Sequence, residues 1–500
     1  MKHLTTILIT FVSFTLMAAE APKPKDKKLP EAKVYQSEHS ITLGGNKLKY
    51  QATAGTLLIK NKKDDPIALF GFTAYVKNQK SSNKRPIVFA YNGGPGSSSI
   101  WLHMGVLGPQ RAVIKDTGFT NNGPFNRVKN DYSIIDNADL VMIDPIGTGF
   151  SKFIGKGKGE DFWGVDQDIN SVGNFIAQYV TENKRWASPK YILGESYGGM
   201  RSAGLSLNLL NKHNMALNGI ILVSPFLDFN TGFDFGGIDL PHVLFLPTFA
   251  ITAYYHKALP NQPKNRDEFL AEVEAFASGE YAHALFLGNK LPKQERTAVV
   301  DKLYQYTGIS KEYWERANLR VGHQQFTKEL MRTRNLTTGR IDSRFKGFSI
   351  GGNGDTMSYD PMTTAIGPPY LAAFMDYYSN DLKVPPTQTY QVSGDVFEKW
   401  DWSHAQPGTP FKLPSPNTVP DLSVAMIQNP HMKVLFLQGY FDLATPYYTT
   451  KYLINHLQIP DEISKNISSE YYEAGHMMYV HKPSLIKFKK DLDAFIKMSH

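Results

Sequence analysis

Residues 194–198 read Gly-Glu-Ser-Tyr-Gly, a serine held between glycines in the pattern G-x-S-x-G. A serine in that setting can attack a carbonyl carbon once a base takes its proton. The apolar Tyr191-Ile192-Leu193 reads as a strand end, and Arg201 to Leu210 reads as a helix. Strand, sharp turn and helix form the context in which the pattern becomes a nucleophile elbow. The plainer reading is a glycine-rich strand-to-helix turn in which Ser196 is merely small. A serine nucleophile also needs a base, and the base an orienting acid. On sheets of this kind the three follow the chain order serine, acid, histidine, each just past a strand. "VLFLQGYFDLATP" is a strand and turn carrying Asp442, and "EYYEAGHMMY" is a strand and turn carrying His476. The rivals fit less well: Asp144 precedes the serine, His456 falls in a predicted helix, and His481 lies past the turn. A turn-capping Asp442 and a surface-loop His476 stay open as alternatives. "NGGPGSSS", residues 92–99, offers backbone N–H groups for an oxyanion. A phosphate cradle is the competing use of such a loop, but no Gly-Lys-Ser/Thr follows it.

These residues must be positioned by a framework, and the hydrophobic pattern describes one. Ser40 to Leu43, Tyr50 to Ile59 and Ile67 to Val76 read as an antiparallel meander. Pro86 to Tyr91, Leu140 to Ile143, Tyr191 to Leu193, Gly219 to Val223, Val434 to Leu437 and Glu470 to Tyr472 are short apolar runs suited to buried strands. Helical stretches lie between them, Asp166 to Val180 and Pro483 to Met498 among them, so the class is α/β with a mostly parallel central sheet flanked by helices. Between Phe226 and Pro430 helical stretches dominate: Asp267 to Ala277, Gln294 to Tyr306, Lys311 to Asn318, Gln324 to Met331 and Leu371 to Tyr378. The reading is therefore a catalytic domain of residues 34–226 and 431–500, interrupted by a largely helical cap insertion, 227–430. The aromatics Tyr254, Tyr255, Trp400 and Trp402 in that insertion either line a pocket or pack it, with packing favoured.

The chain has 500 residues, 42% of them hydrophobic, with a net charge of +8. That suffices for a large core. No basic stripe with interleaved aromatics occurs, which argues against nucleic acid as a partner. Lys2, the apolar stretch Leu4 to Met17 and Ala18-Ala19 read as a signal peptide over 1–19, followed by a disordered Lys/Pro-rich leader, 20–33. The apolar stretch is short for a membrane span, so no span is expected after processing. The location implied is periplasmic or secreted. There is no cysteine, which excludes disulfides and thiolate chemistry and favours bacterial export over a eukaryotic secretory route. No metal-ligand spacing stands out, and no cofactor is expected.

Taken together, the motifs resemble those of the serine carboxypeptidase family, of α/β-hydrolase fold, and the chain reads as a bacterial-type member. "NGGPGSSS" is similar to the family's N-G-G-P-G-C-S-S, "DPIGTGFS" to its D-x-P-x-G-T-G-F-S, "GESYGG" to its G-E-S-Y-[AG]-G, and "AGHM" to its G-H-M block. The resemblance covers roughly residues 40 to 495. It implies a triad of Ser196, Asp442 and His476, with the N–H groups of Gly94 and Tyr197 as the oxyanion hole. Asn92 and Glu195 would contact the free C-terminal carboxylate of a peptide substrate. Two departures stand out: Ser97 replaces the family's usual cysteine, and Val106 stands where many members have a glutamate paired with the one beside the nucleophile. The expected function is an exported serine carboxypeptidase acting on peptides through an acyl-enzyme. The alternatives are an ester hydrolase or acyltransferase on the same scaffold, and a catalytically silent binding protein.

Overall fold

The computed structural model describes residues 29–78, 84–234, 236–385 and 389–499. The expected signal peptide and most of the expected leader lie outside them. Three long strands open the fold: β1 Val34–Leu43, β2 Asn46–Lys60 and β3 Pro66–Lys77. They pair antiparallel in sequence order, as the alternating pattern requires. Then come β4 Ile87–Tyr91, the short pair β5 Gln110–Ala112 and β6 Arg127–Lys129, β7 Asp139–Asp144, β8 Lys152–Phe153, β9 Lys190–Glu195 and β10 Gly219–Val223. A small hairpin, β11 Leu336–Thr338 and β12 Lys346–Phe348, precedes the last two strands, β13 Lys433–Gly439 and β14 Ile467–Tyr472.

The main sheet runs β1-β2-β3-β7-β4-β9-β10-β13-β14, with β8 pairing off β3. From β7 to β14 every neighbouring pair is parallel. Residues Ile87 to Tyr91 and Gly219 to Val223 are buried throughout, because helices cover both faces of a parallel sheet. Val165–Glu182, Tyr197–His213 and Val419–Gln428 lie against one face: Phe175, Ile176, Leu205 and Met426 share a core with Phe89, Ile192 and Phe436. On the other face Phe488, Leu492 and Phe495 of helix Lys482–Met498 join Leu193, Ile221 and Leu437. Parallel pairing places the turns after β4, β9, β10, β13 and β14 at one edge, where the candidate residues sit.

Between β10 and β13 the chain is mainly helical, with its own apolar core of Phe249, Val273, Leu303, Trp314 and Phe326. Two helices there depart from the sequence reading. Leu240–Tyr255 carries Pro247 inside it and is buried at every position from Pro241 to Ala253. A helix covered on all sides shows no amphipathic period, so the pattern gave no sign of it. Pro361–Asn380 begins a full ten residues before the expected Leu371 and runs through Pro368 and Pro369. Two backbone donors are lost there, but Ile366, Tyr370, Phe374 and Tyr377 pack into the main core and hold the helix together. The four aromatics singled out from the sequence pack on other rings. Tyr254 stacks on Phe269, Tyr255 meets Phe441, and Trp400 and Trp402 both stand edge-on to Tyr197.

The insertion is tied to the sheet's helices by a buried ion cluster. His404 contacts Asp166 through Nδ1 at 2.6 Å and Asp421 through Nε2 at 2.9 Å. Burial alone would favour the neutral ring, but the two carboxylates outweigh it and push the imidazole up to about 9. The folded value exceeds the unfolded one of roughly 6.5, so this stabilisation is complete below about pH 6.5 and disappears as pH rises through about 9. His404→Gln should therefore lower stability at pH 6 by something on the order of 3 kcal/mol. The gap to wild type should close by pH 10. Denaturant midpoints of both proteins across that range provide the check; a gap independent of pH would contradict the charged assignment.

Candidate active site

Ser196 immediately follows β9 and caps the helix Tyr197–His213 at φ 63°, ψ −126°. A residue with a Cβ is strained in this region. The strain is held by backbone bonds on both sides: Ser196 N–H donates to Val223 O at 3.0 Å, and Ser196 O accepts from Gly199 N–H at 2.8 Å and Phe226 N–H at 3.0 Å. Close packing also requires glycines here. A Cβ on Gly194 would lie 2.1 Å from Gly198 O, and one on Gly93 would lie 2.5 Å from Tyr197 N. Ser196 itself is only half-buried.

Asp442 and His476 are in contact. Asp442 Oδ2 lies 2.8 Å from His476 Nδ1, both residues being buried. The carboxylate accepts further bonds from the N–H groups of Ala444 at 2.8 Å and Thr445 at 2.9 Å, from Thr445 Oγ1 at 2.7 Å and from Gln438 Nε2 at 3.3 Å. With this many donors on one buried acid, its orientation toward the imidazole is fixed. Burial pulls the His476 pKa down, but Asp442 and then Glu195 pull it up further, so the net shift is upward. Among the described residues no hydrogen bond joins the Ser196 hydroxyl to His476. Such bonds are often long in resting sites. What links the three turns is Ser224, just past β10: its Oγ donates to His476 O at 2.8 Å, its O lies 3.0 Å from Thr445 Oγ1, and its N–H donates to Leu437 O at 2.8 Å.

The rivals are engaged elsewhere. Asp144 accepts from Ser99 N–H at 2.8 Å and Tyr390 OH at 3.1 Å, and burial pushes it up to about 6. His456 Nδ1 meets Tyr452 O, and His481 Nδ1 meets Ser484 Oγ. The loop of residues 92–99 lies along the first turn of the helix Tyr197–His213, as the Gly93 contact shows. Among the described residues neither the Gly94 N–H nor the Tyr197 N–H forms a hydrogen bond. A free donor at a helix N-terminus, as at Tyr197, suits a developing negative charge. The loop is held by Arg201, whose guanidinium donates to Asn92 O at 2.8 Å and to Asp168 Oδ2 at 2.6 Å. Ser97, where the family's cysteine would stand, accepts from Trp101 Nε1 at 3.2 Å and donates to Ser98 O at 3.1 Å.

Asn92 and Glu195 are in contact. Asn92 Nδ2 donates to Glu195 Oε1 at 2.7 Å, and Asn92 Oδ1 accepts from Leu102 N–H at 3.1 Å, which fixes the amide's orientation. Burial pushes Glu195 up to about 7, against the pull of His476 and of the hydrogen bonds from Tyr479 and Asn92. Tyr479, Ser224, Thr445 and Arg201 were not marked by the sequence reading. Nor was the insertion segment at Ile341 and Asp342, where Ile341 O accepts from His476 N–H at 2.7 Å and Asp342 Oδ2 from Gly475 N–H at 3.0 Å. Only Thr445 and Tyr479 had a signal to follow, each being a hydroxyl three residues past a candidate catalytic residue. Among the described residues no group of three or more His, Cys, Asp or Glu side chains could hold a metal ion.

The fold and this arrangement define an α/β-hydrolase. The family model for serine carboxypeptidase matches residues 46–488, and the chain belongs to that family. It is similar to serine carboxypeptidase-like 45 of Arabidopsis thaliana, 28% identical over 204 residues, which is 38% of this chain and 40% of that protein. It is also similar to the pheromone-processing carboxypeptidase kex1 of Neosartorya fischeri, 26% identical over 156 residues, 29% of this chain and 22% of that protein. The matched stretches thus span about two fifths or less of these relatives. Both relatives are eukaryotic and lend no support to the bacterial-type expectation. A proline iminopeptidase structure from Mycobacterium smegmatis covers 93% of this chain and 98% of its own, at 12% identity and a TM-score of 0.36, too loose a match to bear on function.

If the Asp442–His476 pair serves Ser196, the residues should fail as a unit. Ser196→Ala and His476→Ala should each lower kcat by a factor on the order of 10⁶, and the double variant little further. Asp442→Asn should cost less, since it orients the imidazole without reacting. Single-turnover rates on folded variants provide the measurement, and strictly additive losses would contradict it.

Proposed function

We propose that the protein is a serine carboxypeptidase that removes residues from the C-termini of peptides. Ser196 Oγ attacks the carbonyl carbon of the last peptide bond while His476 Nε2 takes its proton and Asp442 steadies the resulting imidazolium. The N–H groups of Gly94 and Tyr197 receive the oxyanion. The imidazolium returns the proton to the departing amino group, leaving an ester on Ser196. A water molecule, deprotonated by His476, then hydrolyses that ester. The helical insertion, proposed over 227–430, acts as the cap over the strand ends, apart from Pro361–Asn380 and Val419–Gln428, which pack into the sheet's own cores.

The observation that carries the exopeptidase reading is Glu195, a buried carboxyl one residue before the nucleophile turn and bonded to Asn92. A carboxyl held near neutrality in its protonated form accepts a substrate carboxylate beside it; a charged one repels it. Export and a periplasmic or secreted location are proposed on the N-terminal sequence alone; among the described residues no helix is long and apolar enough to cross a membrane. The bacterial-type reading likewise rests on the absence of cysteine.

The test offers one peptide as free acid and as C-terminal amide across pH. Two groups titrate in opposite senses. His476 must be neutral, so both substrates should gain kcat/KM as pH rises through its pKa, which lies above the usual histidine value. Glu195 must be neutral for the acid alone, so the acid-to-amide ratio should fall as pH passes about 7. In Glu195→Gln the ratio should be independent of pH. Parallel acid and amide profiles in the wild type would favour an ester hydrolase or acyltransferase on this scaffold, and a panel of blocked dipeptides and their esters would separate those.

A further inference from the structure

The loss of a paired acid at Val106 leaves open what holds the second oxygen of Glu195. The structure supplies a neutral donor. Tyr479 OH lies 2.8 Å from Glu195 Oε2, while Asn92 Nδ2 bonds Oε1 at 2.7 Å. Asn92, Glu195 and Tyr479 are each no more than 3% exposed. The tyrosine sits on the short turn Met478–Val480, three residues after His476. Its ring lies over Gly105, the neighbour of Val106: a Cβ on Gly105 would come within 2.4 Å of Tyr479 Cε2.

We propose that Tyr479 is the positioning residue of Glu195, fixing Oε2 as Asn92 fixes Oε1 and favouring the charged carboxylate, so that it helps set the pH at which the enzyme stops recognising a substrate's terminal carboxylate. This rests on the role given to Glu195 above. Asn92 Nδ2 can only donate, so a proton arriving on Glu195 goes to Oε2, facing Tyr479. The phenol can follow, because its hydroxyl donates to the carboxylate and accepts from the carboxylic acid. A second carboxyl in that place would add a charge; the tyrosine stays neutral, since burial and then Glu195 hold its pKa far above the working range. The titratable groups facing Glu195 are His476, which favours its charge, Asp442, which opposes it, and Tyr370 and Tyr479, both neutral.

Removing one hydrogen bond to the charged form raises the pKa of the acid. Tyr479→Phe keeps the ring and deletes the bond. Its acid-to-amide kcat/KM ratio should fall at a pH roughly one unit higher than in wild type, while kcat/KM for the amide stays within a few-fold. Gly105→Ala reaches the same bond from the other side, by displacing the ring, and should shift the fall in the same direction. It serves where Tyr479→Phe does not fold. If the wild-type ratio does not vary with pH, the role of Glu195 is wrong and this proposal goes with it. If the wild-type ratio falls but both variants fall at the same pH as wild type, the role of Tyr479 alone is overturned.

Discussion

The strained turn at Ser196 is the constraint on which the rest of the site depends. An L-residue at φ 63°, ψ −126° costs on the order of 1–3 kcal/mol and persists only where its surroundings leave no alternative. Here the surroundings are the parallel strands themselves. Val223 O, at the end of β10, holds the Ser196 N–H, and Phe226 N–H holds its carbonyl. The same strand end continues into Ser224, which reaches the turns of Asp442 and His476. The strain at the serine and the bonds that gather the acid and base therefore share one buried segment. That segment lies at the edge of the sheet where parallel pairing puts all five turns.

Much of this was legible in the sequence because it is local. The G-x-S-x-G pentapeptide, the two strand–turn units around Asp442 and His476, and the glycine-rich loop of residues 92–99 each carry their geometry within a dozen residues. Five buried strands were readable as short apolar runs for the same reason; the sixth expected, at Glu470 to Tyr472, is the edge strand β14, where only Tyr472 is buried. What stayed hidden is long-range. Arg201 reads as an ordinary helical arginine, yet it is fully buried, paired with Asp168 and bonded to Asn92 O. Asp342 reads as a loop acid, yet it braces Gly475 and pairs with Arg344 at 2.6 Å. Helix Leu240–Tyr255 gave no period because every side of it is covered. None of these partners has a spacing that a linear pattern can carry.

The insertion contributes more than cover. Its segment at Ile341 to Ser343 bonds to the histidine turn and to Phe441 O beside Asp442, and Gly394 N–H bonds to Gly96 O in the glycine-rich loop. Trp400 and Trp402 sit edge-on to Tyr197. A segment that interrupts the sheet in sequence thus braces the turns around Asp442, His476 and the glycine-rich loop in space. Within that frame Glu195, Asp442 and His476 form a buried group of two acids and one base. The charge of each favours or opposes that of the others.

The most direct test of the central claim is to trap the acyl-enzyme. A blocked dipeptide ester mixed with the protein and quenched in acid within milliseconds should leave the acyl group on one site, read by mass spectrometry of the digested chain. The account predicts the mass increment on the peptide that contains Ser196, absent from Ser196→Ala and accumulating in wild type before steady turnover. An increment on any other residue, or turnover at full rate with Ser196 replaced, would contradict it.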